Sequence, residues 1–143
     1  MGMTIRLLVA IAAAAFAGDA AAAQWKQVAK APVGELWVDN ASVKRHDGEV
    51  SFEYRLDYPK PQEAPQSKVA YRSMVTKAIL RCTPRTIAIG PSVAYAGTKA
   101  TGKVVGNFPP DPEDARFQPV EPNTSDENLW KHVCKVAELT PKK

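Results

Sequence analysis

Cysteine and histidine are scarce in this chain of 143 residues, with two of each. The spacing of Cys82, Cys134, His46 and His132 matches no zinc finger. A nucleophilic cysteine needs a histidine placed as its base. His132 lies two residues from Cys134, which on a helix is a different face. A glycine-rich phosphate loop and a nucleophile elbow are also missing. His46 falls in the turn Arg45-His-Asp-Gly48, the ordinary place for a solvated histidine. Asp39, ahead of Asn40-Ala41-Ser42, reads as a turn or capping group, and the acids near Asp111–Asp114 fall in a proline-rich loop. These absences argue against an enzyme, and no metal or cofactor is expected.

Negative charge is missing from a long central stretch. Between Ala64 and Pro110 there is no acid, while Lys68, Arg72, Lys77, Arg81, Arg85, Lys99 and Lys103 are all basic. The flanks are slightly acidic, and the whole chain carries +4. The plain reading is a solvated sheet face neutralised in space by the flanks. The functional reading is a surface for an acidic glycan or protein, with Lys77, Arg81 and Arg85 as candidate polyanion contacts.

No apolar run long enough to span a bilayer, which takes roughly 20 residues, occurs anywhere. Near the start, Arg6 precedes an apolar run from Leu7 to Ala17, and Ala21-Ala22-Ala23 offers a cleavage site before Gln24. That order is a secretory signal; an N-terminal membrane helix is the competing reading. Removing residues 1–23 of the 143 leaves 120, enough for one domain with a real core. The expected protein is exported, periplasmic or secreted, and has no membrane anchor after cleavage. Nucleic acid is disfavoured as a partner because the protein leaves the cytoplasm. Exposed sheet edges would permit a dimer.

What is present is mostly β. Val50, Phe52, Tyr54, Leu56 and Tyr58 alternate with polar residues, a strand expected to stop at Pro59. The stretch 59–65 is too proline-rich for an element and reads as an extended loop. From Lys68 to Cys82 the chain favours a central strand with both faces covered, with a helix as the alternative because Met74, Val75, Ala78 and Ile79 also fit helical spacing. Strands are also expected at 25–29, 35–39 and 85–89, the last separated by a bulge or bend at Gly90-Pro91 from a hairpin over 93–105. The period then changes. Thr124 and Glu127 form a capping-box pattern, and Leu129, Trp130, Val133, Cys134 and Ala137 make one apolar helical stripe of roughly 11–13 residues. In an oxidising compartment Cys82 and Cys134 are expected to pair, tying this helix to the sheet.

Four stretches together resemble the surface-adhesin protein E family: Trp25, Leu36-Trp37-Val38-Asp39 running to Gly48, Cys82-Thr-Pro-Arg85, and Phe117 to Pro122 leading into Trp130-Lys-His-Val-Cys134. The chain departs from the family pattern at Trp37, Arg81 and Phe117, and no cysteine follows the leader to take a lipid. The resemblance implies an α+β fold: an antiparallel sheet of about six strands with a C-terminal helix packed on it and held by the disulfide. It also implies a non-enzymatic domain that binds extracellular-matrix or other acidic partners. The other reading is a periplasmic structural or inhibitory module presenting its proline-rich stretches 59–65 and 109–122.

Overall fold

Alternating side chains over 50–58 demand a sheet with two unlike faces, and a computed structural model of the chain, describing residues 22–140, has one. Six strands run as an antiparallel meander: β1 (Trp25–Ala31), β2 (Gly34–His46), β3 (Glu49–Glu63), β4 (Ala70–Arg81), β5 (Thr86–Tyr95) and β6 (Val104–Phe108). A two-residue strand, β7 (Gln118–Pro119), follows, and then helix α1 (Ser125–Glu138). Each of the first six strands pairs with its neighbour in sequence. Asp47 and Gly48, both at positive φ, make the tight β2–β3 turn that an Asp-Gly pair favours. The leader expected at 1–23 lies almost wholly outside the described residues.

One face of the sheet carries the core. Leu36 and Val38 of β2, Val50 and Phe52 of β3, Ala78 and Leu80 of β4 and Ile87 of β5 pack against Leu129, Val133 and Ala137 of α1. Thr124 caps the helix by accepting from the Glu127 backbone N–H at 3.3 Å. Glu127 reaches back to the N–H of Asn123 rather than of the cap residue itself. The disulfide Cys82–Cys134 joins the end of β4 to the middle of α1 across a Cα separation of 5.9 Å, the ordinary span for such a bond. Trp130 Nε1 donates to the Arg81 carbonyl at 3.2 Å beside it, so the helix is held to the β4 terminus both covalently and by a hydrogen bond.

The sheet departs from the sequence expectations at three places. First, β3 does not stop at Pro59 but continues to Glu63. Register runs from Asp57 opposite Ser73 to Gln62 opposite Tyr71, so residues 58–61 bulge out against Arg72 alone. Pro59 and Pro61 fall within that bulge, where a missing N–H breaks no ladder bond. The stretch 59–65 is therefore mostly strand, not a loop. Second, the stretches on either side of Gly90-Pro91 run on as one strand, β5, and the expected bulge sits within it, opposite Lys77. A Cβ on Gly90 would sit 2.7 Å from the Lys77 carbonyl oxygen, so the close approach requires glycine. Third, β4 is a strand, but near Ala78–Cys82 only one of its faces is covered. Ala78 and Leu80 are buried under α1, whereas Ile79 on the other side is 39% exposed.

The chain from β6 to β7 runs down one edge of β5. β6 pairs with its second half, the Asp114 carbonyl accepts the Ile89 N–H at 2.7 Å, and β7 pairs at Thr86 and Ile87. Val120 N–H donates to the Arg85 carbonyl and continues the line. Strand pairing within 118–119 removes much of the freedom expected of the 109–122 stretch.

Candidate functional site

The face opposite α1 holds side chains that the hydrophobic core does not use. At one end Arg55 is 3% exposed yet charged, and its guanidinium lies between two indoles, 4.6 Å from the Trp25 ring centroid and 5.2 Å from that of Trp37. The register makes the stack: Trp37 sits opposite Arg55 across β2–β3, and Trp25 opposite Asp39 across β1–β2. Arg55 grips Asp57, two residues along the same face, through Nε to Oδ1 at 3.0 Å and Nη2 to Oδ2 at 2.9 Å. Paired, fork-shaped donation of this kind is the strongest way to hold a buried carboxylate.

The β5–β6 loop closes over that pair. Lys99 N–H donates to Asp57 Oδ1 at 2.9 Å and Ala100 N–H to Ser73 Oγ at 2.9 Å. Ser73 Oγ donates in turn to the Gly97 carbonyl at 2.6 Å. Lys99 and Ala100 adopt φ of 57° and 56°, a left-handed conformation that costs a non-glycine residue roughly 1–2 kcal/mol. Buried Asp57 and Ser73 hold the loop there. The Arg55–Asp57 pair and Ser73 are thus satisfied and make this end of the sheet rigid, while Trp37 Nε1 is buried without a hydrogen-bond partner.

Beyond Arg55 the same face opens into a groove of about 920 Å³. Ile79 and Ala88 form an apolar floor, Ser42 and Ser51 line it, Lys44 and Lys77 stand at its sides, and Pro91 and Pro110 close one wall. A second depression of about 470 Å³ adjoins it and shares Glu53, Lys77 and Pro91 with the first. Lys77 therefore stands on the saddle between the two. Lys44 and Lys77 are both exposed, and neither forms an ion pair among the described residues. A four-residue bulge of β2, placed between Asp39 opposite Glu53 and Lys44 opposite Ser51, shapes the near wall. Ser42 Oγ fixes that bulge by accepting the Glu53 N–H at 2.8 Å and donating to the Asp39 carbonyl at 2.6 Å.

The three basic residues singled out from the sequence separate. Lys77 lines the groove. Arg81 pairs with Glu49 at 2.9 Å and stacks 3.7 Å over the Phe117 ring. Arg85 pairs with Glu127 of α1 at 2.7 Å and lies 4.2 Å over the Trp130 ring. Glu127 is held below the usual carboxylate range, chiefly by the Arg85 hydrogen bond. Arg85 thus fastens the helix, and Arg81 ties β4 to β3 and to Phe117. Lys44 and Ile79 emerge only from the fold, because their shared groove needs β2 and β4 to flank β3.

No histidine joins a catalytic cluster. His46 is exposed at the β2–β3 turn, and His132 shares a 2.7 Å hydrogen bond with Asn40 Oδ1. Burial, with Lys26 and Lys135 nearby, pushes the His132 pKa below its ordinary value. Among the described residues no group of three His, Cys, Asp or Glu side chains is placed to hold a metal ion, and no helix is long and apolar enough to cross a membrane.

Comparison with known proteins places this arrangement. The family model described as surface-adhesin protein E matches residues 25–135. Solved structures of Haemophilus influenzae protein E share the fold. One superposes with a TM-score of 0.62 at 16% identity, covering 82% of this chain and 89% of that one. A second crystal form gives 0.61 at 17%, covering 78% and 87%. Protein E from non-typeable Haemophilus influenzae gives 0.56 at 17%, covering 76% and 75%. At such identities the likeness speaks for the fold alone. No curated protein sequence matches the chain.

Proposed function

The chain belongs to the surface-adhesin protein E family, and from that premise we propose that it is an exported, non-enzymatic binding protein that takes an acidic segment of a protein or glycan in its open sheet-face groove. The observation that carries this reading is the pairing of a partly exposed apolar floor, Ile79, with two unpaired cations, Lys44 and Lys77. Cations without partners keep their attraction for an incoming polyanion, whereas Arg81 and Arg85 have theirs largely met by Glu49 and Glu127. Extracellular-matrix material is one source of such acidic segments. An extracytoplasmic setting fits both the family and the disulfide. Periplasmic retention and release outward both satisfy this reading.

Binding to immobilised heparin, used as a generic acidic glycan, tests it, with an acidic peptide as the second probe. Affinity is expected to fall steeply with salt, and Lys44→Ala with Lys77→Ala is expected to weaken it about tenfold or more. Arg81→Gln and Arg85→Gln should matter less for binding and more for stability. Equal affinity of the double lysine variant and the native protein would remove the groove from the account.

A further inference from the structure

The first residue after the expected cleavage site is already built into the sheet. Gln24 N donates to Asp39 Oδ1 at 2.8 Å, and the Gln24 carbonyl accepts the Asn40 N–H at 2.9 Å. Chain termini ordinarily fray unless tied down, and here both backbone groups of Gln24 are held. Asp39 is 7% exposed, and its other contact through the same oxygen is the Ala41 N–H at 3.0 Å. This carboxylate is held by neutral N–H donors and has no cationic side chain within ion-pair distance among the described residues. Another acid neighbours it: Glu53 stands directly opposite Asp39 in the β2–β3 register.

Export would change that balance. Hydrolysis of the Ala23–Gln24 peptide bond by a leader-removing protease adds water. It leaves a carboxylate on Ala23, which departs with the leader, and an amine on Gln24 that takes up a proton near neutral pH. The nitrogen already aimed at Asp39 becomes an ammonium. We propose that leader removal creates a part-buried ion pair between the Gln24 α-ammonium and the Asp39 carboxylate, so that maturation itself completes the β1–β2 edge. The other cations near this corner are Arg55, which lies over the Trp25 ring and is taken by Asp57, Lys44 and Lys77, in the same groove, and Lys26, on the side of β1 that bears on His132. None of them forms an ion pair with Asp39.

The pair has a chemical consequence for a glutamine terminus. A neutral α-amine attacks the side-chain carbonyl carbon of its own glutamine; a C–N bond forms, the bond to the amide nitrogen breaks, and ammonia leaves, giving a lactam. An amine held as ammonium by Asp39 has no free electron pair for that attack. The paired terminus should therefore resist cyclisation while the protein is folded.

The test uses the exported, processed protein. N-terminal sequencing and intact mass are expected to show a chain that begins at Gln24 and has not lost ammonia. In the folded protein the α-amine should titrate above the usual α-amino range of about 7.7–8.0. Cyclisation should run about tenfold slower than in the same protein held unfolded in denaturant, the factor that one pKa unit makes in the neutral fraction. Asp39→Asn should bring the folded rate up to the unfolded one. If that variant does not fold, the titration and the folded-against-unfolded comparison in the native chain still decide. A mature terminus elsewhere, an ordinary amine pKa in the folded state, or equal rates in the two states would each overturn the proposal.

Discussion

Arg55 and Asp57 show what a single pair of residues does here. A charge only 3% exposed survives because two indole faces and one carboxylate replace its water. Removing one partner strands the other, so Arg55→Met or Asp57→Ala is expected to lower unfolding stability by about 3–5 kcal/mol in a denaturant titration. Arg55→Lys should recover little, because an ammonium cannot donate as a planar fork or lie flat between rings. His132 gives a pH signature of the opposite kind. Its pKa in the fold is below that of the unfolded chain, mainly through burial, so the unfolded state binds the proton more readily. Its contribution is fully present above about pH 6.5 and is lost as pH falls toward its folded value. Melting temperature against pH should drop across that window, and His132→Gln should flatten the drop. None of these roles is visible in the string. Arg55 and Asp57 read there as the polar half of an alternating strand, and nothing in it sets Trp25 and Trp37 beside them. Only the β1–β2–β3 register brings the four together.

At the level of elements, local pattern carried further. The alternation over 50–58 and the spacing from Thr124 to Ala137 each depend on neighbours in sequence, and both elements form where that pattern puts them. Pro59 misled because a proline forbids a ladder bond only where the ladder has one to lose, and a four-residue bulge takes it out of line. Ile79 misled because apolar residues on both sides of a strand imply two covers, whereas this fold supplies one helix. The disulfide is the element-scale feature with the largest expected effect. Replacing Cys82 and Cys134 with serine opens a 52-residue separation, which in the chain-entropy model removes about 4 kcal/mol. Alone in water a helix of 14 residues is marginal. Far-UV circular dichroism of the serine variant should therefore lose helical signal well before its β signal on heating. Labelling of the native protein with a thiol reagent, without reductant, should give no adduct.

For the whole molecule, the governing fact is that the sheet has a helix on one side and a groove on the other. Lys77 is exposed and forms no ion pair among the described residues, so Lys77→Ala should leave the melting temperature within a degree or so while weakening the proposed binding. On the proposed export, cell fractionation should find the protein in the osmotic-shock fluid or the medium. Recovery in the membrane pellet would count against that. The same division has an optical counterpart. Of the three tryptophans, Trp25 and Trp37 flank a guanidinium on the face opposite the helix, while Trp130 sits beneath Arg85 where the helix meets the strand end. Phenylalanine replacement of one set leaves the emission of the other, and each becomes a separate reporter: one changes when the Arg55 stack opens, the other when the helix peels away.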